Sequence, residues 1–338
     1  MTAQSLELDE LWRRGTEFLG VPHAIMCGAM TWISERNLVA AISNAGGFGV
    51  IACGSMTPEL LAAEIEATRE LTQKPFGVNL ITLHPELDAL IEVCGEQNVS
   101  HLVLAGGLPS SVSIKRAKDL GAKVICFAPA MVLAKKLLRS GVDALVIEGS
   151  EAGGHIGPVS TSVLAQEILP NVSEVPVFVA GGIGRGEAIA AYLELGAAGA
   201  QLGTRFVCAH ECVAHPDFKR AFIRAQARDA MPTVQYDPKF PVIPVRALKN
   251  KGTERFMEMQ RRTVARVQAG ELDQKQAQLE IEHFWAGALR RAAVDGDVEN
   301  GSLMAGQSVG MVRSEQSTAE IISELVEQAE KYLVRGRQ

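Results

Sequence analysis

Eight short apolar runs recur along the first two thirds of the chain, about two dozen residues apart as repeated strand–helix units require. They span 24–27, 49–52, 76–80, 101–104, 123–127, 144–148, 177–180 and 200–202. Several are unbroken rather than alternating, the pattern of parallel strands buried on both faces. Between them lie amphipathic stretches such as 59–71 and 132–140, which read as helices. Eight such units predict an α/β chain folded as a (β/α)8 TIM barrel. A doubly wound open sheet is the architecture that the same alternation also allows.

Beyond residue 212 the character changes. Residues 213–248 are rich in proline and basic side chains, with too few apolar runs to add strands, and 252–293 read as long charged helices. This predicts a barrel of residues 1–212 and 305–338, interrupted by a helical insertion over 213–304 that covers one mouth on the substrate side. A last amphipathic helix, 318–332, completes the outer ring.

Composition excludes several classes. Net charge is −6, with no basic stripe for nucleic acid. No run of 18 apolar residues is present to span a membrane, and the acidic N-terminus does not read as a signal peptide. Cysteines 27, 53, 94, 126, 208 and 212 fall mostly inside strand-like runs, which predicts reduced, buried thiols in a cytoplasmic protein.

In a barrel, chemistry sits where the strands end, and the loops after strands seven and eight commonly hold phosphate. Those loops read VFVAGGIGRGEA and AQLGTRF, so Gly181, Gly182, Gly203 and Thr204 are candidates to present backbone N–H groups to a cofactor phosphate. GGIGRGE is not a dinucleotide fingerprint. It stands in the seventh unit rather than the first, and no acid closes the next strand. The sixth strand ends VIEGSEAGGHIGPVST. Its His155 follows two glycines and suits proton transfer near neutral pH, with a plain loop cap as the competing role. Glu148 can hydrogen-bond a cofactor or make a loop-stabilising ion pair. Asn79, near the end of strand three, both donates and accepts. Gly28 and Met30, after strand one, are candidates to cover a ring face, with core filling the alternative for Met30.

Cys208, His210, Cys212 and His215 have zinc-ligand chemistry, but no single helix or strand face presents all four, and no metal is expected. His23, His84, His101, His210, His215 and His283 lack a glycine-framed setting and are read as structural. Lys239, Arg246, Lys249 and Lys251 are read as solvated cations, with a phosphorylated substrate or acidic partner as the alternative.

Together these segments resemble the nitronate monooxygenase family, formerly the 2-nitropropane dioxygenases, with its enoyl-ACP reductase II branch. The resemblance runs from about residue 20 to about residue 325, through AMTWISERNLVAAISNAGGFG, PFGVNL, EGSEAGGHIG, VAGGIGRGE, QLGTRF, AHPDFK, VRALKN and GDVENGSLMAGQ. It implies FMN bound on the barrel without a Rossmann domain. Asn79, Glu148, Gly153, Gly181, Gly182, Gln201, Gly203 and Thr204 would contact it, and His155 would be the catalytic histidine. Nitronate monooxygenases usually carry Gln where this chain has Glu148, whereas the reductase branch shows an acid there. Strand one also departs from the reductases' usual Gln-Gly-Gly, with Cys27, Gly28 and Ala29.

Two activities follow from the resemblance. One oxidises an alkyl nitronate with O2, His155 acting as base. The other passes hydride from NAD(P)H through FMN to an enoyl thioester, and a quinone reductase is a third variant. The N-terminal third resembles the monooxygenases and the C-terminal third the reductases. No acyl carrier protein docking patch is evident in the sequence, which favours the nitronate reading. The expected partners are a small-molecule substrate, an acyl carrier protein in the thioester case, and a second copy in a homodimer.

Overall fold

The computed structural model describes residues 3–237 and 243–335. Eight parallel strands form one sheet: β1 (Ile25–Cys27), β2 (Gly49–Ala52), β3 (Phe76–Ile81), β4 (His101–Ala105), β5 (Lys123–Phe127), β6 (Ala144–Glu148), β8 (Val177–Ala180) and β9 (Gly199–Leu202). A two-residue strand, β7 (Gly154–His155), lies outside it. The sheet order is β1-β9-β8-β6-β5-β4-β3-β2. Its ends meet: Phe48 N donates to Ile25 O at 2.8 Å, and Cys27 N donates to Phe48 O at 2.9 Å. The sheet is therefore a closed barrel, and the open-sheet alternative is excluded. Each strand lies within one residue of the run that predicted it, because strands buried on both faces leave continuous apolar runs.

The helices between strands are set by local signals. Thr57 caps α3 (Pro58–Leu71), its hydroxyl accepting from Leu60 N, and Pro58 opens the helix where its missing N–H costs nothing. Ser110 caps α5 (Ser111–Asp119) through Ser113 N at 3.0 Å. The closed end of the barrel is filled by an aromatic cluster. His101 sits between Phe48 and Phe18, at 4.9 and 5.2 Å, with Nε2 on Phe18 O at 2.9 Å. Burial pushes its pKa down to about 4, so it packs as a neutral ring.

Residues 251–293 form two long helices, α11 (Lys251–Gln268) and α12 (Gln274–Ala293), which enclose their own apolar core. Phe256 and Trp285 pack at 4.1 Å within it. The hairpin is pinned to the loop after β1 by Trp32, whose indole N–H donates to Ala286 O at 3.0 Å. Residues 213–248 contradict the strand-free expectation. β10 (Ala230–Pro232) and β11 (Val245–Leu248) pair antiparallel, and β11 also pairs with β7. Strands of two to four residues are too short to leave a readable alternation, and their partners are distant in sequence. Lys239 lies outside the described residues.

The last helix, α13 (Thr318–Arg335), packs on α8 (Gly186–Glu194) through backbone contact. A Cβ at Gly186 would stand 1.9 Å from Leu325 O and 2.6 Å from Ala329 N. Gly186→Ala is therefore expected to destabilise the protein by about 2 kcal/mol by forcing the helices apart. Urea denaturation checks this, and an unchanged midpoint would show that the contact yields freely.

Candidate active site

The C-terminal ends of the eight strands converge on one mouth of the barrel. β1 and β9 meet there in register, Met26 beside Gln201 and Cys27 beside Leu202, with Gly28 N donating to Leu202 O at 2.8 Å. A Cβ at Gly28 would lie 3.6 Å from both Gln201 Nε2 and Gly203 Cα, and one at Gly203 would lie 3.4 Å from Met30 Sδ. The structure thus brings Gly28, Met30, Gln201 and Gly203 together.

The register continues outward. Gln201 pairs with Ala180 of β8, which pairs with Glu148 of β6. In-register neighbours share a face, so the Gln201 amide and Glu148 carboxyl project on the same side, about 10 Å apart by strand spacing. Neither side chain has a hydrogen-bond or ion-pair partner among the described residues. Glu148 is partly accessible at the strand end, and desolvation by the surrounding protein pushes its pKa up to about 8. A loop-stabilising ion pair, the alternative role, is not made. Two unpaired polar groups on one face, flanked by glycines, fit a planar polar cofactor whose edge would supply the missing partners.

The sixth and seventh loops lock together beside this face. Gly181 and Gly182 hold φ of +95° and +72°, a conformation open to glycine without strain. Glu151 accepts from Thr161 N at 3.0 Å and Thr161 Oγ1 at 3.1 Å, capping α7 (Thr161–Ile168). The Thr161 hydroxyl also lies 2.9 Å from Gly181 O. Beyond them a cavity of about 280 Å³ is lined by Glu151, Gly181, Gly182, Tyr192 and Met311 among others. Gly153 contributes close packing: a Cβ there would stand 2.6 Å from Gly306 N. Thr204 Oγ1 accepts from the same Gly306 N at 2.9 Å, tying the eighth loop to the returning chain. Asn79 is buried on β3, its Nδ2 donating to Val103 O at 3.0 Å.

His155 is exposed and is held by the small ribbon rather than by a barrel strand. It pairs with Val245 of β11, and Ile156 N donates to Pro244 O at 2.9 Å. The ribbon depends on Arg246, a residue whose importance the sequence does not reveal. Arg246 is buried, not solvated: Nε donates to Ser150 O at 2.9 Å and Nη1 to Ala230 O at 2.5 Å. It joins the sixth loop to β10 and β11. Lys249 is exposed, and Lys251 pairs with Glu299 at 3.1 Å. The Cys/His segment serves packing and capping. Cys208 and Cys212 are buried, and His215 Nδ1 accepts from Asp217 N at 3.1 Å at the start of α10 (Pro216–Arg224).

A closed parallel barrel with glycine loops and unpaired polar groups at its C-terminal mouth is the plan of a barrel enzyme. The nitronate monooxygenase family profile matches residues 13–97 and 87–328. A Mycobacterium tuberculosis protein, (3aS,4S,5R,7aS)-5-hydroxy-7a-methyl-1-oxo-octahydro-1H-indene-4-carboxyl-CoA dehydrogenase, is 31% identical, over 92% of this chain and 94% of its own length. A probable nitronate monooxygenase from Staphylococcus aureus is 27% identical over 94% and 98%. Among solved structures, FabK from Thermotoga maritima superposes with a TM-score of 0.86 at 36% identity, covering 96% of this chain and 98% of that one. The chain belongs to the nitronate monooxygenase family and is an oxidoreductase. No helix among the described residues is long and apolar enough to cross a membrane.

Glu148 gives a test of the site's electrostatics. Its folded pKa lies above its ordinary value of 4.5, so folding takes up a proton between pH 4.5 and about 8. Stability contributed by the neutral acid is lost as pH rises through that window. Cofactor-free Glu148→Gln is therefore expected to be more stable than wild type at pH 9 by about 2 kcal/mol, with the gain vanishing at pH 5. Thermal melts at the two pH values measure it. A difference independent of pH would contradict the desolvated carboxyl.

Proposed function

We propose that this chain is an FMN-dependent oxidoreductase that moves hydride between its flavin and the α,β-carbons of an acyl thioester, with NAD(P)H as the other redox partner. The observation that carries the reading is Glu148. The chain has an acid where the resemblance gives nitronate monooxygenases Gln and the reductase branch an acid, and that acid stands unpaired on the site's polar face. The order of likeness points the same way. The CoA-thioester dehydrogenase at 31% and FabK, an enoyl-ACP reductase II, at 36% exceed the nitronate monooxygenase at 27%.

FMN, when bound, supplies the hydride donor and acceptor. The chain's part is to bind and orient it. Gly181, Gly182, Gly203 and Thr204 would hold the phosphate end with backbone N–H groups, beside the N-terminus of α8. Gly28 would leave room for a ring, and Met30 would cover one face of it. Asn79 and Gln201 offer donors and acceptors to the ribityl and ring edges. Glu148, neutral below about pH 8, donates rather than repels there. Gly153 keeps the sixth loop close to the returning chain at Gly306. His155, on the ribbon, holds the proton that the substrate needs at its imidazole nitrogen, and residues 213–304 form the substrate-side lid.

Oxidation of an alkyl nitronate with O2, His155 as base, is the second reading, favoured by the family profile. Anaerobic stopped-flow separates the two. Bleaching of the flavin by NADH or NADPH, followed by reoxidation with an enoyl thioester, is the expected result. Bleaching by propyl nitronate but by neither nicotinamide would overturn the thioester reading. His155→Ala is expected to retain FMN and lose turnover by about 100-fold or more. Unchanged kinetics would remove its role.

A further inference from the structure

Helix α6 (Met131–Arg139) follows β5 and carries no acidic residue. Its exposed positions Val132, Lys135, Lys136 and Arg139 fall at i, i+3, i+4 and i+7, one face of the helix. None of the three cations pairs with any group among the described residues. Cations on neighbouring α5 are paired instead, Lys115 with Asp119 and Lys118 with Asp143. A basic last turn complements the helix dipole, which accounts for Lys136 and Arg139 but not for the apolar end of the face. Val132 is 76% exposed, and Val112, at the matching position of α5, is 74% exposed; these are the two most exposed large apolar side chains among the described residues. Leu108, in the loop before α5, is also exposed. Each of these helices starts at the C-terminal mouth of the barrel, so the apolar end of the face borders the site.

The rest of the mouth is engaged elsewhere. Hydrogen bonds tie residues 213–304 to the loops after β1 and β6, through Trp32 and Ser150. The rim above β4 and β5 stays open, as the exposure of Val112 and Val132 shows. On a chain of net charge −6, an unpaired cationic stripe leading to an apolar lip is complementary to an acidic protein with an apolar spot.

We infer that the α6 face, with Val112 and Val132 at its upper end, is the docking surface for an acyl carrier protein, a small acidic protein that presents its thioester on a pantetheine arm. The inference rests on the thioester reading above and supplies the carrier surface that the sequence did not reveal. The cations hold the carrier's acidic side chains along the barrel wall, and the arm enters over the valine lip toward the flavin.

The test uses the FMN-loaded enzyme and its Lys135→Glu/Lys136→Glu/Arg139→Glu variant, with Val132→Asp as an independent second. Binding of fluorescently labelled holo acyl carrier protein is followed by anisotropy, and turnover is compared for crotonyl-loaded carrier and crotonyl-CoA. The expected result is carrier binding that weakens with salt and falls at least tenfold in both variants. KM for the loaded carrier rises by a similar factor, while kcat/KM for crotonyl-CoA stays within twofold. No carrier binding by the wild type overturns the proposal, as does an equal loss on carrier and CoA, or no loss on either. Binding is read without turnover, so the two readings fail separately. Carrier that binds at α6 without reaction of either thioester removes the thioester chemistry and leaves the surface. CoA turnover without carrier binding does the reverse.

Discussion

The contact on which the molecule depends is the pair of backbone hydrogen bonds between Phe48 and the β1 residues Ile25 and Cys27. Without them the eight strands are an open sheet with two unpaired edges, and β1 and β2 are its ends. With them, β2 and β3, and so Asn79, come round beside β1, where Gly28 already stands next to β9. Closure also buries strands on both faces, which is why the central residues of β1, β6 and β8 are almost wholly removed from water. Each loop can then be short, and short loops rich in glycine bring backbone N–H groups close to a ligand.

The polar groups at the mouth divide by what satisfies them. Glu151, Thr161, Thr204 and Arg246 are bonded within the protein and fix the sixth, seventh and eighth loops and the ribbon, while the Asn79 amide ties β3 to β4 through its nitrogen. Glu148 and Gln201 have no such partner among the described residues. A partly desolvated carboxyl with no partner costs stability in the cofactor-free chain, and binding a partner there offsets that cost. The division separates residues that build the site from those left available to a ligand.

Much of this was legible from residue types. The eight strands were, because a parallel strand buried on both faces needs an unbroken apolar run, as in residues 144–147. Glu148 and the paired glycine loops were legible because a barrel places strand ends at its mouth, whereas Gln201 came only from the family resemblance. The ribbon was not: Gly154–His155 and Ala230–Pro232 are too short to show a period, and their pairing through Val245–Leu248 spans distant segments. Arg246 was hidden for the same reason. In sequence it sits among lysines and looks solvated, and only the ribbon buries it. Gly153, for which the resemblance implies a cofactor contact, has a second role that the sequence did not show, close packing on Gly306. The α6 stripe became visible only when its cations lacked partners and its valine proved to stand at the barrel mouth.

The central claim is that the polar face shared by Glu148 and Gln201, with Gly28 and Gly203 beside it, is a flavin site. Titration of the flavin-free protein with FMN, followed by flavin fluorescence in wild type and in Gln201→Leu, tests it directly. The account predicts binding of one FMN per chain, weakened at least tenfold when the unpaired amide is replaced by an apolar side chain of similar size. Failure of the wild-type protein to bind FMN, or equal affinity in the two proteins, would contradict it.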